Sequence, residues 1–393
     1  MIPTRRKAGV AALVIAAAAA AGVGTYIPGS AAAGGNGSKA VCGAPAAGDA
    51  RCNSRLLTKD GRTVTTSTPA GYGPTALQSA YNLPSSSAGA GQTVAIVDAY
   101  DDPNAVSDIS HYRAVFGLPA FGPNGPTIRK VNQTGGTNYP KANGGWAQEI
   151  SLDLDMVSAI CPNCNIILVE ANSASLTNLG AAVNEAAKLG ATSISNSYGG
   201  NESSQDTNYD GTYFTHPGVA ITASSGDNGY GVEYPAASSL VTAVGGTSLN
   251  HANGVWTETV WSGAGSGCSA YDPQPSWQST WNTGCLNHRA VADVSAVADP
   301  NTGVAVYDSL RYGGASGWLV FGGTSVASPI IASVYALAGK SVSGVPQSAL
   351  NTGALNDVTS GSNGNCSVSQ LCTARAGWDG PTGLGTPNGI TAF

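Results

Sequence analysis

From Gln92 onward the chain alternates between two hydrophobic periods. An uninterrupted apolar run, Thr93 to Val97, gives way to Asp101-Asp102-Pro103 and then to a stretch of helical spacing through His111 and Phe116. The alternation repeats: Ile166 to Val169 reads as a strand, Leu176 to Leu189 as an amphipathic helix, and Ser193 to Ser197 and Val219 to Ala223 as two further strands. Short, wholly apolar strands separated by helices predict an α/β fold whose mainly parallel central sheet is covered on both faces. Ligands of such sheets bind beyond the carboxyl ends of the strands, so the residues just after each run are where chemistry should be sought.

Upstream the pattern is different. Arg5, Arg6 and Lys7 precede an Ala/Val-rich run from Ala8 to about Val23, which ends in small residues near Ser30 to Ala33. This predicts a secretory signal peptide over residues 1–33 and a secreted, extracellular protein. The run is short and its flank Gly/Ser-rich, which argues against a membrane anchor. Thr4 before the Arg pair and Lys7-Ala8 after it match twin-arginine export poorly. Residues 34–70 are weakly apolar and hold a cysteine pair of their own, so they read as a short prosegment or N-terminal arm ahead of a main domain over residues 71–393.

Composition narrows the function. Only 10% of the 393 residues are charged, against about 25% in an average soluble domain. A net charge of -6 leaves no basic field for phosphates, so neither nucleic acid nor an anionic membrane is an expected partner. The processed protein is read as a monomer. Eight cysteines in an oxidising compartment predict disulfides, and their spacing pairs each with its near neighbour: Cys42 with Cys52, Cys161 with Cys164, Cys268 with Cys285 and Cys366 with Cys372. A redox dithiol at Cys161-Pro-Asn-Cys164 is the rival reading, and it requires free thiols. A zinc site has no second Cys-x-x-Cys to draw on.

Three stretches carry candidate chemistry. In Gly322-Gly323-Thr324-Ser325-Val326-Ala327-Ser328-Pro329, after the apolar run Trp318 to Phe321 and before the helical Ile330 to Ala338, a serine stands at the mouth of a helix. Backbone N–H groups and the positive helix end there suit a nucleophile whose product is an oxyanion, although an ordinary helix cap has the same pattern. No histidine motif supplies a base for it. The helical stretch Gly145 to Val157 buries Trp146, Ile150, Leu154 and Val157 on one stripe, with Glu149 and Asp153 four apart on its edge. Like charges at that spacing weaken a helix, so the pair is either an exposed acidic face or two close carboxylates sharing a proton. Asp155 points elsewhere and reads as solvated or structural. The third stretch, Ala223-Ser224-Ser225-Gly226-Asp227-Asn228-Gly229, follows a strand, and its aspartate is either a turn former or, when protonated, a donor to an oxyanion.

Together these stretches resemble the sedolisins, the serine-carboxyl peptidases, over residues 71 to 393. The resemblance implies a subtilisin-like three-layer fold and an acid-active endopeptidase acting on protein or peptide substrates. By it, Ser325 is the nucleophile, Glu149 its general base, Asp153 the carboxylate behind that base, and Asp227 the oxyanion-stabilising acid. Ser197-Tyr198-Gly199 matches the edge that takes the substrate backbone as an added strand. Near the C-terminus, Asp357-Val358 and Arg375-Ala376-Gly377-Trp378-Asp379 resemble the family's loop for one structural calcium ion. The implied ligands are the carboxylates of Asp357 and Asp379 and the main-chain oxygens of Val358, Arg375 and Gly377. Two departures stand out: the family's folded prodomain has only residues 34–70 to correspond to it, and Arg375 replaces a common glycine. The rivals are a Ser-His-Asp hydrolase, with Asp98 as its acid, and a catalytically inactive binding module of the same fold.

Overall fold

The computed structural model describes residues 35–340, 350 and 352–393. The expected signal peptide, residues 1–33, lies outside them. Among the described residues no helix is long and apolar enough to cross a membrane.

The central sheet has eight strands. In spatial order they are Val255–Val260, Thr242–Ala252, Ala220–Ser224, Ser193–Asn196, Thr93–Ala99, Asn165–Ala171 and Ile128–Asn132, with Val294–Val297 also pairing with Thr242–Ala252. Every pairing is parallel except that of Val255–Val260. The inner strands are buried almost throughout, as expected of a sheet with helices on both faces.

Two helices set the geometry of the interior. The acid helix, Gly144–Ile160, starts where the Asn143 side chain accepts from the N–H groups of Gly145 and Trp146. It lies between the sheet, the helix Ala105–Val115, the strand Val304–Tyr312 and a second long helix, Thr324–Ala338. The expected single buried stripe is therefore too narrow. From Gly145 to Ile160 every residue is buried, the acids included. Asp155 is not solvated either: it is 1% exposed and accepts the Tyr307 N–H at 2.8 Å. The serine helix, Thr324–Ala338, starts earlier than the apolar pattern suggested, so Ser325 sits in its first turn, among the N–H groups that have no partner within the helix.

A second, antiparallel sheet joins the N-terminal arm to two strands late in the chain. It runs Asn36–Ala40, Arg55–Lys59, Ala315–Gly322, Val304–Tyr312, with Arg62–Thr63 and Thr65–Thr66 added beside it. The N-terminal arm is thus woven into the body of the protein, pairing Leu56 with Phe321 and Arg55 with Gly322 just ahead of the serine helix. All four cysteine pairs are bonded as the spacing predicted, and no cysteine is free. That removes the redox reading of Cys161 and Cys164.

Candidate active site

The acid helix and the serine helix pack directly on each other, which brings Glu149 and Asp153 to Ser325. Both acids and the serine are 0% exposed, so the exposed-face alternative for the pair is excluded. Burial is the main cause of every shift here. It pushes Glu149 up to about 8, partly offset by the nearby hydroxyls of Ser325 and Ser54. Neither hydroxyl closes a full bond, since both Glu149 oxygens lack a partner, and the Ser325 hydroxyl donates instead to the Ser197 carbonyl at 3.0 Å. Asp153 is raised by burial, then by Asp98 and by Glu149.

Asp98, offered by the sequence only as the acid of a Ser-His-Asp set, belongs to this group instead. It ends the strand Thr93–Ala99, is fully buried with both oxygens unpartnered, and is raised by burial and by Glu149. As the acid of a Ser-His-Asp set it would need a histidine, and the four histidines lie elsewhere. His111 packs on Tyr307, His216 bonds Asn184, His251 stacks on Trp256, and His288 sits exposed on the strand His288–Val291. What surrounds Ser325 is a carboxylic acid cluster. Such a cluster loses its first proton most easily and each later one against the charge already made, so one negative charge shared among several acids persists over a wide pH range.

Asp227 is bound to Thr324, the residue next to the serine. One carboxyl oxygen, Oδ1, accepts from the Thr324 N–H at 2.8 Å and the Thr324 hydroxyl at 3.0 Å; the other, Oδ2, has no partner. Burial pushes this acid up to about 7, against the lowering effect of the Thr324 N–H. At Gly323, whose φ is +98°, an added Cβ would lie 2.7 Å from Asp227 Oδ2 and would also strike the Asn53 carbonyl oxygen. The glycine is needed for both its backbone shape and this close approach.

The edge Ser197-Tyr198-Gly199 is already paired. Tyr198 and Gly199 form an antiparallel ladder with Cys52 and Arg51, and the Asn53 N–H donates to the Ser197 carbonyl at 3.1 Å. The N–H of Ser325 donates to the Asn53 carbonyl at 2.9 Å. Asn53 fills the adjoining pocket, its amide donating to Ser224 Oγ at 3.1 Å and to Glu233 Oε2 at 3.0 Å. Neither Asn53 nor Glu233 carries a sequence signal, because each acquires its meaning from a pairing about 180 residues distant in sequence.

The C-terminal residues expected to bind calcium come together on one loop. Asp357 accepts from the Gly377 N–H at 2.9 Å, and Asp379 accepts from the Arg375 N–H at 3.2 Å and from Thr382. Burial, with Asp357 adding to it, pushes Asp379 up to about 7. Two carboxylates that both bond the short segment Arg375 to Asp379 or its neighbours supply the hard oxygen chemistry a divalent cation takes. A separate acidic group, Glu202, Asp206 and Asp272, places three carboxylate oxygens within 4.8 Å of one another.

The Subtilase family model (Peptidase_S8) matches residues 135–350. Kumamolisin of Bacillus sp. (strain MN-32) is 31% identical over 364 residues, 82% of this chain and 63% of the relative. Sedolisin of Pseudomonas sp. (strain 101) is 28% identical over 371 residues, 83% of this chain and 61% of the relative. The chain therefore spans about three-fifths of the length of these curated relatives. Among solved structures, Pseudomonas sedolisin (serine-carboxyl proteinase) complexed with two molecules of pseudo-iodotyrostatin superposes with a TM-score of 0.68 at 29% identity, covering 82% of this chain and 96% of that one. With more than half its length matched by the family model and sedolisins among both its relatives and its structural neighbours, the chain belongs to the subtilase family, in its sedolisin branch.

Proposed function

We infer that this is a secreted, acid-active endopeptidase of the serine-carboxyl type, cutting protein or peptide chains through an acyl-enzyme on Ser325. The observation that carries this reading is the burial of Glu149 and Asp153 beside Ser325, with Asp227 bonded to the adjoining Thr324 and no histidine placed against the serine. Glu149, carrying the cluster's one negative charge while Asp153, backed by Asp98, holds the proton the pair shares, takes the proton of the Ser325 hydroxyl as its oxygen attacks the peptide carbonyl. The oxyanion that forms is met by the Ser325 N–H and by protonated Asp227. Glu149 then passes its proton to the departing amine, and water clears the acyl group. In this reading one structural calcium ion is held by Asp357, Asp379 and the carbonyls of Val358, Arg375 and Gly377.

The test is digestion of an unfolded protein across pH 3 to 8, with fragment ends sequenced. Wild type should cut in acid. Ser325→Ala should lose activity by at least about 10³-fold and Glu149→Gln by about 10²–10⁴-fold, the range for a lost general base. A profile peaking above neutral would contradict the carboxyl mechanism, and a wild type that leaves substrate intact at every acidic pH would favour an inactive binding module.

A further inference from the structure

We propose that Glu202, Asp206 and Asp272 form a binding site for a hard divalent cation of calcium's size, separate from the C-terminal loop. One carboxylate oxygen from each lies within 4.8 Å of the other two. Calcium takes oxygen ligands at 2.3–2.6 Å, so oxygens up to about 5 Å apart all reach one ion, whereas magnesium, at about 2.0–2.1 Å, needs a tighter set. Neither thiol nor imidazole belongs to the group, and Cys268, on the same strand as Asp272, is bonded to Cys285. Ligands that are all oxygen favour a hard cation over zinc.

Exposed acids cluster without binding anything; these are inside. Asp206 and Asp272 are each 0% exposed. Both carboxylate oxygens of Asp272 lack a hydrogen-bond partner, and the charges that act on it come from Asp210, Asp206 and Glu202, all of them acids. Among the described residues no Lys, Arg or His forms an ion pair with any of the four. Arg289, whose charge reaches Asp210, is committed to Asp293 at 2.8 Å and to the Ser238 carbonyl at 3.4 Å. A buried carboxylate with no counter-charge takes up a proton or a cation. A proton bridges two oxygens, and the convergence of a third is what a cation uses. Glu202, half-buried, opens the group to solvent.

The protein itself orients these ligands. Glu202 Oε1 accepts from the Ser269 hydroxyl and from the Ala270 N–H at 3.2 Å, and Ser269 Oγ in turn accepts the Asp272 N–H at 2.8 Å. One hydroxyl thus sets two of the three carboxylates. Asp206 accepts from the Ser203 N–H at 2.9 Å and the Ser203 hydroxyl at 2.8 Å. Such outer partners fix ligand direction in metal sites. An ion here would join the strand Gly267–Pro273 to the short helix Asp206–Tyr209, and Glu202 stands only three residues beyond the edge Ser197-Tyr198-Gly199.

The experiment uses the full chain carrying Ser325→Ala, so that no digestion occurs during dialysis. It is stripped with a chelator at pH 7 and titrated with calcium alone, bound metal being counted by equilibrium dialysis and elemental analysis. Adding Asp272→Asn should remove one calcium per chain, and adding Asp379→Asn should leave this one in place. Ser269→Ala, which keeps all three carboxylates, should weaken this ion about 10–100-fold, the usual effect of losing an outer partner. A count that falls with Asp272→Asn but not with Asp379→Asn supports this site and overturns the C-terminal one. A count that Asp272→Asn leaves unchanged overturns this site, whatever Asp379→Asn does. Should Asp272→Asn fail to unfold cooperatively, Ser269→Ala decides: calcium affinities equal to those of the parent chain overturn the proposal.

Discussion

In the proposed reaction, Asp227 is the residue on which the pH range turns. Its Oδ1 is committed to Thr324, and its Oδ2 faces the spot crowded by the Asn53 carbonyl oxygen. With a proton on Oδ2 the acid is a donor to an oxyanion; without it, the same group is a negative charge pressed against another. Burial places that change at about 7. Activity should hold in acid and fall as pH rises through 7. Asp227→Ala should cost about 10²–10³ in kcat, the usual price of one oxyanion donor, with KM little changed. Steady-state kinetics at pH 4 measures the loss. A variant within threefold of wild type would show that the Ser325 N–H suffices.

At the scale of single elements, legibility followed sequence distance. Glu149 and Asp153 could be read as a pair because one helix turn stacks them, and Ser325 because a Gly-Gly-Thr-Ser run opens a helix after a strand. The resemblance to the sedolisins then supplied their roles. Asn53 and Glu233 were beyond reach and Asp98 could be named only as the acid of a histidine-based rival, since no periodicity links the end of one strand to a helix about 50 residues later, or an arm to a loop about 180 residues away. The arm illustrates this best. Arg51 to Arg55 is too polar to announce a buried strand, and it is buried only because two edges of the protein close on it. The C-terminal loop was recognisable through resemblance alone, as two aspartates 22 positions apart in sequence carry no pattern of their own. Stripping cations from it with a chelator should lower the thermal midpoint by several degrees, calcium restoring it and magnesium failing to. Differential scanning fluorimetry of Ser325→Ala, which cannot digest itself, makes the comparison clean; an unchanged midpoint would remove the calcium.

For the molecule as a whole, the rarity of charge and the depth of the acids have a joint effect. Asp98, Asp153 and Asp155 are raised by burial, and Asp272 and Asp308 are pushed up to about 8. In the unfolded chain such acids titrate near 4. The folded state thus binds more protons than the unfolded one between about pH 4 and 8, and stability must fall as pH rises across that window. It is fully present below the lower limit. The thermal midpoint of Ser325→Ala should drop by on the order of 10 °C from pH 4 to pH 8. A midpoint that rises instead would mean the buried acids are ionised and paired in the fold.

The four bridges close loops of 10, 3, 17 and 6 residues in chain order. Any mismatched partner lies farther along the chain, and the entropy cost of bringing two sites together grows with the segment between them. Oxidation can therefore proceed one short stretch at a time, each pair sealing as it meets oxidant, with little need for an isomerase to undo mistakes.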